Sequence, residues 1–178
     1  MKIAGLVLAG GQARRMHGQD KAFLDTGNGL SLERIFARLQ QECSDVAISA
    51  NGDSARFNAW HCTILPYSIH DVGPLAGVLS GLEWAEKNGY NTLITVPVDT
   101  PFIPEGLVAA LVPAPSYACC EGQSHPLVAA WPVSARPVLA EQLSLLTHEN
   151  KKHQTRVRTL ANALGARAVD FPLGPVRA

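Results

Sequence analysis

The densest set of groups suited to an anion lies in Leu8-Ala9-Gly10-Gly11-Gln12-Ala13-Arg14-Arg15-Met16-His17-Gly18-Gln19-Asp20-Lys21. Glycines let backbone N–H groups approach a phosphate closely, and Arg15 and Lys21 could neutralise it from the sides. The segment is not a Walker A loop, because no Gly-Lys-Ser/Thr follows, and it lacks the G-x-G-x-x-G spacing of a dinucleotide fingerprint. On these residues alone, a tight turn with a solvated basic patch explains it at least as well. Asp99, in Val96-Pro97-Val98-Asp99-Thr100-Pro101, is a second candidate. An aspartate leaving a buried strand is either desolvated without a partner or serves as a ligand, unless it simply caps a helix or turn. Gly73-Pro74-Leu75 would set a helix N-terminus beside a ligand, or merely start a helix.

Three further positions carry weaker signals. Asn51-Gly52 is an ordinary turn pair as well as a candidate polar contact. His125 precedes Pro126 in a turn-like stretch, and Lys151, Lys152, Arg156 and Arg158 form a basic run that also reads as a solvated helix face.

Positioning such groups requires an alternation of strands and helices, and the apolar pattern supplies one. Ile3 to Leu8 is a continuous apolar run, expected as a buried strand at whose carboxyl end the first loop begins. Leu32, Ile35, Phe36, Leu39 and Cys43 recur at helical spacing after Ser31, an expected N-cap. Strands are expected at Val46 to Ala50, Thr63 to Leu65 and Leu93 to Val98, where Pro97 stands near the end and its missing donor matters least. A helix opening at Pro74 carries Leu75, Val78, Leu79 and Leu82, and its Gly77 and Gly81 imply a close neighbour, either backbone or ligand. Another helix is expected from Pro104, carrying Leu107, Val108 and Leu111. Tyr117 to Cys120 and Leu127 to Trp131 read as a strand pair around the turn Glu121-Gly122-Gln123-Ser124. Helices near Pro137 to Leu146 and Thr155 to Leu164 precede a short strand, Ala168 to Phe171. The expected fold is α/β: a single-domain, Rossmann-like, mixed but mostly parallel sheet with helices on both faces, spanning residues 1–178.

Composition narrows the function classes. The chain has 178 residues, 47% of them apolar and 17% charged, with 15 basic against 15 acidic side chains and a net charge of zero. A chain of this length buries roughly 70% of its unfolded surface and needs no disulfide or structural metal to fold. The absence of a basic excess argues against a nucleic-acid partner. Cys43, Cys62, Cys119 and Cys120 show no C-x-x-C or zinc-ligand spacing and are expected as unpaired thiols. The apolar run after Lys2 is short and leads into Gly10-Gly11 rather than a cleavage site, and no later run reaches the ~18 residues of a spanning helix. A cytoplasmic protein without membrane contact is expected.

Taken as a unit, the first loop resembles the L-A-G-G-x-x-x-R-M-G-x-D-K signature of nucleotidyltransferases with a nucleotide-diphospho-sugar-transferase fold. The double glycine is similar to the molybdenum cofactor guanylyltransferase branch, whose cytidylyl-transferring relatives read L-A-A-G. Gly73-Pro74-Leu75-Ala76-Gly77 and Pro97-Val98-Asp99-Thr100-Pro101 match two further segments of that branch, and the resemblance runs from Ile3 to about Phe171. It implies nucleotide binding by Leu8, Ala9, Gly10, Gly11, Lys21, Asn51, Asp71, Gly73, Pro74, Leu75 and Asp99, with Asn51 reaching guanine or ribose. It also implies Arg15, Lys21 and Asp99 as the catalytic set, and Asp99 as ligand of a Mg²⁺ that bridges triphosphate oxygens. His125-Pro126 would lie on the acceptor side, and the basic run from Lys151 to Arg158 could hold the acceptor's phosphate.

The implied reaction is GMP transfer from GTP to the terminal phosphate of molybdopterin or the molybdenum cofactor, with pyrophosphate released and molybdoenzyme maturation proteins as further partners. The alternatives are cytidylyl or sugar-phosphate nucleotidyl transfer on the same fold, and a non-catalytic GTP-binding maturation partner. Three positions depart from the family pattern. His17 replaces the usual glycine of R-M-G, and Tyr67 follows Leu65-Pro66 where an aspartate is usual, leaving Asp71 or Tyr67 as its counterpart. The closing F-x-N-x-N-T-P-E-D pattern is not matched by Phe171-Pro172-Leu173-Gly174, so the expectation there is nucleotide binding with pterin transfer impaired or achieved differently.

Overall fold

The computed structural model describes residues 1–9, 15–16, 19–20, 31–52, 54–67, 72–100, 103–145 and 157–171. A seven-stranded sheet runs through it. Its strands are β1 (Ile3–Leu8), β4 (Asp45–Ser49), β5 (Thr63–Leu65), β6 (Thr92–Pro97), β7 (Ser116–Cys120), β8 (Gln123–Pro132) and β9 (Arg167–Asp170), in the order β5-β4-β1-β6-β8-β7-β9. The two-residue strands β2 (Arg15–Met16) and β3 (Gln19–Asp20) pair separately, with Arg15 opposite Asp20. Pairing is parallel from β5 through β4 and β1 to β6, antiparallel on both sides of β8, and parallel again between β7 and β9. The expected mixed, mostly parallel α/β sheet is therefore present.

Period-two burial along the strands feeds two hydrophobic layers, one on each face. On one face, Val7, Ile48, Ile94, Val96, Val128 and Ala130 meet helix α1 (Ser31–Glu42) and the short α3 (Leu107–Leu111). On the other, Leu6, Leu8, Leu93 and Trp131 meet α2 (Leu75–Lys87), α4 (Arg136–Ser144) and α5 (Val157–Ala163). In α1 the buried Leu32, Ile35, Phe36 and Leu39 repeat at the 3, 4 and 7 spacing of one helical face. Each such leucine or isoleucine stabilises the fold by about 1.5–3 kcal/mol.

Helix α2 lies unusually close to the sheet. A Cβ on Gly77 would stand 2.7 Å from Ser49 Oγ, and one on Gly81 would stand 2.5 Å from Leu6 Cδ2 and 2.9 Å from Leu93 Cδ2. The neighbour implied by these glycines is thus neither backbone nor ligand but side chains of β1, β4 and β6.

Other local expectations shift by a few residues. The helix expected from Pro104 begins at Leu107, because Gly106 adopts φ +77 at its N-cap, and Glu42 Oε1 of α1 accepts the Val108 N–H at 3.3 Å. Ser31 is the first residue of α1. The hairpin turn narrows to Glu121 (φ 51) and Gly122 (φ 79), so Gln123 and Ser124 belong to β8. A 3-10 helix at Ser54–Trp60 has no counterpart in the periodicity; it is held by buried Phe57, whose ring lies against Trp60 and under the Arg56 guanidinium at 4.6 Å. Cys43, Cys62, Cys119 and Cys120 are free thiols.

Candidate active-site cleft

Parallel strands end together, and the ladder continues one residue past their regular bonds. Ala9 N–H donates to the Ser49 carbonyl at 2.9 Å, Val98 N–H to Leu8 at 3.2 Å, and Ala50 N–H to Leu65 at 3.1 Å. The carboxyl ends of β1, β4, β5 and β6 are consequently stitched into one rim, the customary ligand side of such a sheet. Leu8 and Ala9 are buried in that rim at 7% and 6% exposure, so only their backbone can face a ligand.

From this rim β6 leads into a tight turn. The Pro97 carbonyl accepts both the Thr100 N–H at 3.2 Å and the Thr100 hydroxyl at 2.8 Å. Val98 is buried inside the turn and Asp99 is exposed on it. Among the described residues no group bonds or pairs with the Asp99 carboxylate.

Asn51 follows β4. Its side-chain oxygen accepts the Tyr67 N–H at 2.9 Å, and its amide nitrogen donates to the Tyr67 carbonyl at 3.2 Å. The Arg56 guanidinium donates to the Asn51 carbonyl at 3.1 Å. Asn51 thereby brackets the segments after β4 and β5, and the position that departs from the family pattern, Tyr67, is its partner.

Gly73 has φ +65, which a glycine adopts without strain, and Pro74 turns the chain into α2 with no side-chain cap. Leu75 is fully buried, so its contribution at this end is its backbone N–H.

A cleft of about 600 Å³ brings several of these residues together: Pro74, Asp99, His125, Pro126 and Arg158 all line it. Its remaining wall is mainly apolar, with Leu127, Val128 and Val157. Arg158 Nη2 donates to Ser124 Oγ at 2.9 Å, tying α5 to the start of β8. A neighbouring notch of about 250 Å³ shares Ser124, Pro126 and Arg158 and adds Tyr117 and Asn162.

The β8 wall has an irregular backbone for a reason visible in its sequence. Its register to β7 breaks between Tyr117, opposite Ala129, and Ala118, opposite His125. Pro126, Leu127 and Val128 are left without partners on β7, as expected around a residue that has no N–H to give. Residues 124–128, which include this bulge, line the same cleft as Asp99. The sequence marks His125 as a site candidate but Ser124, Leu127 and Thr100 only as members of a turn, a strand and the Asp99 segment; the polar turn and the basic run were the signals, and only the fold joins them.

Asn51 and Gly73 belong to the same rim but do not line the cleft. Arg15 lies on β2. Gly10, Gly11, Lys21 and Asp71, with Lys151, Lys152 and Arg156, fall outside the described residues. The cleft thus carries one carboxylate, one imidazole and one guanidinium among mainly apolar side chains. Among the described residues no group of three His, Cys, Asp or Glu side chains could hold a metal ion, and no helix is long and apolar enough to cross a membrane.

Comparison with known proteins agrees with this architecture. The chain is 41% identical over 176 residues to a protein named molybdenum cofactor guanylyltransferase from Cereibacter sphaeroides, covering 97% of this chain and 87% of that one. A solved structure from Aquifex aeolicus VF5 superposes with a TM-score of 0.74 at 21% identity, covering 95% of this chain and 86% of that one. Molybdopterin-guanine dinucleotide biosynthesis protein A from Archaeoglobus fulgidus superposes with a TM-score of 0.66 at 17% identity, covering 99% and 86%. Residues 5–165 match the family described as MobA-like NTP transferase domain. With that match spanning most of its length, the chain belongs to the MobA-like NTP transferase family and is a nucleotidyltransferase.

Proposed function

We propose that the chain transfers GMP from GTP to the terminal phosphate of molybdopterin or the molybdenum cofactor and releases pyrophosphate. The observation that carries this reading is the cleft that Asp99 and Pro74, from two nucleotide-type motifs, line together with His125 and Arg158. The likeness to guanylyltransferases over 97% of the chain supports the choice of nucleotide.

The nucleophile is a phosphate oxygen already ionised at neutral pH, so the protein needs no general base. Its task is alignment and charge neutralisation at the α-phosphate. Arg15 and Lys21 neutralise the triphosphate, while the Gly10-Gly11 amides and the Leu8-Ala9 backbone line its loop. Gly73, Pro74 and the Leu75 N–H bound the nucleoside side, and Asn51 holds the rim there, with Asp71 or Tyr67 beside it. His125 and Arg158 receive the acceptor, the guanidinium pairing with its phosphate.

One exposed carboxylate, with no cluster of further acidic ligands among the described residues, fits Mg²⁺, which takes its remaining oxygens from phosphates and water. Asp99 would hold the ion, which supplies positive charge to the triphosphate when bound. Residues 1–178 act as one nucleotidyltransferase domain in the cytoplasm, handing product to molybdoenzyme maturation proteins.

Pyrophosphate release by the full chain with GTP, Mg²⁺ and purified molybdopterin tests this reading. Release that depends on both GTP and the pterin is the expected result. A preference for CTP, or pyrophosphate that forms without the pterin, overturns it.

A further inference from the structure

The cleft wall formed by β8 rests on a carbonyl that the ladder itself cannot satisfy. Between β6 and β8 the register pairs Leu93 with Trp131 and Thr95 with Ala129. Val133 N–H donates to the Asn91 carbonyl at 3.0 Å, which marks the odd-numbered positions of β6 as those that exchange hydrogen bonds with β8. The pairing ends at Thr95 and Ala129; carried two residues further, the same alternation would set Leu127 opposite Pro97. Proline has no N–H, so the Leu127 carbonyl loses the donor that its place in the ladder would give it.

A side chain supplies the missing donor. The Thr95 hydroxyl donates to the Leu127 carbonyl at 2.7 Å and accepts the Trp131 indole N–H at 3.0 Å. Thr95 and Trp131 are both fully buried. A hydroxyl that accepts from a rigid indole has its own hydrogen directed away from that ring, toward the carbonyl. Leu127 is the middle residue of the three that have no partner on β7, so this bond ties the centre of the bulge to β6.

We infer that Thr95 is a positioning residue: it replaces the N–H absent at Pro97, sets the position of the β8 bulge, and through it places His125 and the apolar wall against the acceptor. This rests on the proposed function, in which the β8 wall faces the acceptor and the Asp99 wall the nucleotide. Thr95 touches neither.

The variants Thr95→Val, Thr95→Ser and Thr95→Val combined with Pro97→Ala separate positioning from bulk stability. Thr95→Val keeps the shape and removes both the donor to Leu127 and the acceptor of the Trp131 indole; it should raise KM for the pterin about tenfold while KM for GTP stays within about twofold. Amide exchange over residues 123–128 should accelerate in the same variant. Thr95→Ser should behave as the unaltered chain. Adding Pro97→Ala returns a backbone N–H at the right ladder position and should recover most of the lost pterin affinity. A Thr95→Val chain that folds only when Pro97→Ala accompanies it supports the same assignment. Equal rises in both KM values, or unchanged exchange over 123–128, overturn it. No turnover by the unaltered chain overturns both readings, whereas turnover with an unshifted Thr95→Val overturns this one alone.

Discussion

At the amino ends of the strands, Asp45 accepts its own neighbour's N–H from Val46 at 2.9 Å and the Tyr90 hydroxyl at 3.4 Å, while Lys2 N–H is bonded to Asn91 Oδ1 at 3.0 Å. Cys43 and Cys62 sit in the same region around a pocket of about 180 Å³, and burial, assisted by Glu42 and Asp45 respectively, pushes their thiols up to about 12 and about 11. At the carboxyl ends the pattern reverses. Asp99 is exposed and without a partner among the described residues, and the β8 segment that lines its cleft is a bulge rather than a ladder. At the first end Asp45 and Asn91 hold the Tyr90 hydroxyl and the Val46 and Lys2 N–H groups; at the second the Asp99 carboxylate has no partner among the described residues. The same sheet thus has a finished edge and an open one, and the difference arises from where proline and glycine interrupt the backbone.

Removing the free charge at the open edge gives the largest effect. Asp99→Ala, and equally Lys21→Ala, should reduce pyrophosphate release by about a hundredfold or more. For Asp99→Ala the melting temperature should stay unchanged, because the side chain is exposed and has no partner among the described residues. A variant at residue 99 with normal turnover would erase the functional contrast between the two edges.

Gly81→Ala tests the layer that joins them. The added methyl must displace Leu6 and Leu93 side chains, costing about 1–3 kcal/mol, against which alanine's better helix propensity returns about 1 kcal/mol. Urea denaturation should therefore show a net loss, without a selective rise in either substrate's KM.

The smallest effect belongs to the finished edge. The Cys43 thiol has an ordinary value of 9.0 and is raised to about 12 in the fold. Below 9.0 both folded and unfolded chains keep the proton, so the full stability is present there. As pH rises through 9.0 toward about 12 the unfolded chain ionises first, and stability falls. Cys43→Ala should flatten that part of an alkaline unfolding curve, and in the unaltered chain Cys43 should react with thiol reagents more slowly than a free cysteine.

How far these edges could be read beforehand depended on the range of the forces that build them. Continuous apolar runs announced β1 and β6, and the helical spacing of Leu75, Val78, Leu79 and Leu82 announced α2, because burial acts on each residue separately. Asp99 stood out for the same reason: a charge at the end of a buried run is conspicuous. The order of the strands, with β8 inserted between β6 and β7, was not legible, since it depends on pairing between distant segments. Nor was the Ser54–Trp60 turn of helix, which depends on Phe57 finding the core. Pro97 reads in the sequence as harmless near a strand end; the structure adds a threonine two residues back whose hydroxyl bonds the Leu127 carbonyl of β8. Arg158 and Ser124 were each visible as polar residues, but their bond at 2.9 Å joins α5 to β8 and belongs to the tertiary fold alone.

The three unopposed residues of β8 have an implication for how this architecture diversifies. Because Pro126, Leu127 and Val128 face no partner on β7, a residue gained or lost there shifts neither the pairing of Gln123 to His125 nor that of Ala129 and Ala130. The stretch works as an expansion joint. Its length and chemistry can drift to admit a bulkier or slimmer second substrate, while both flanking ladders keep their alignment.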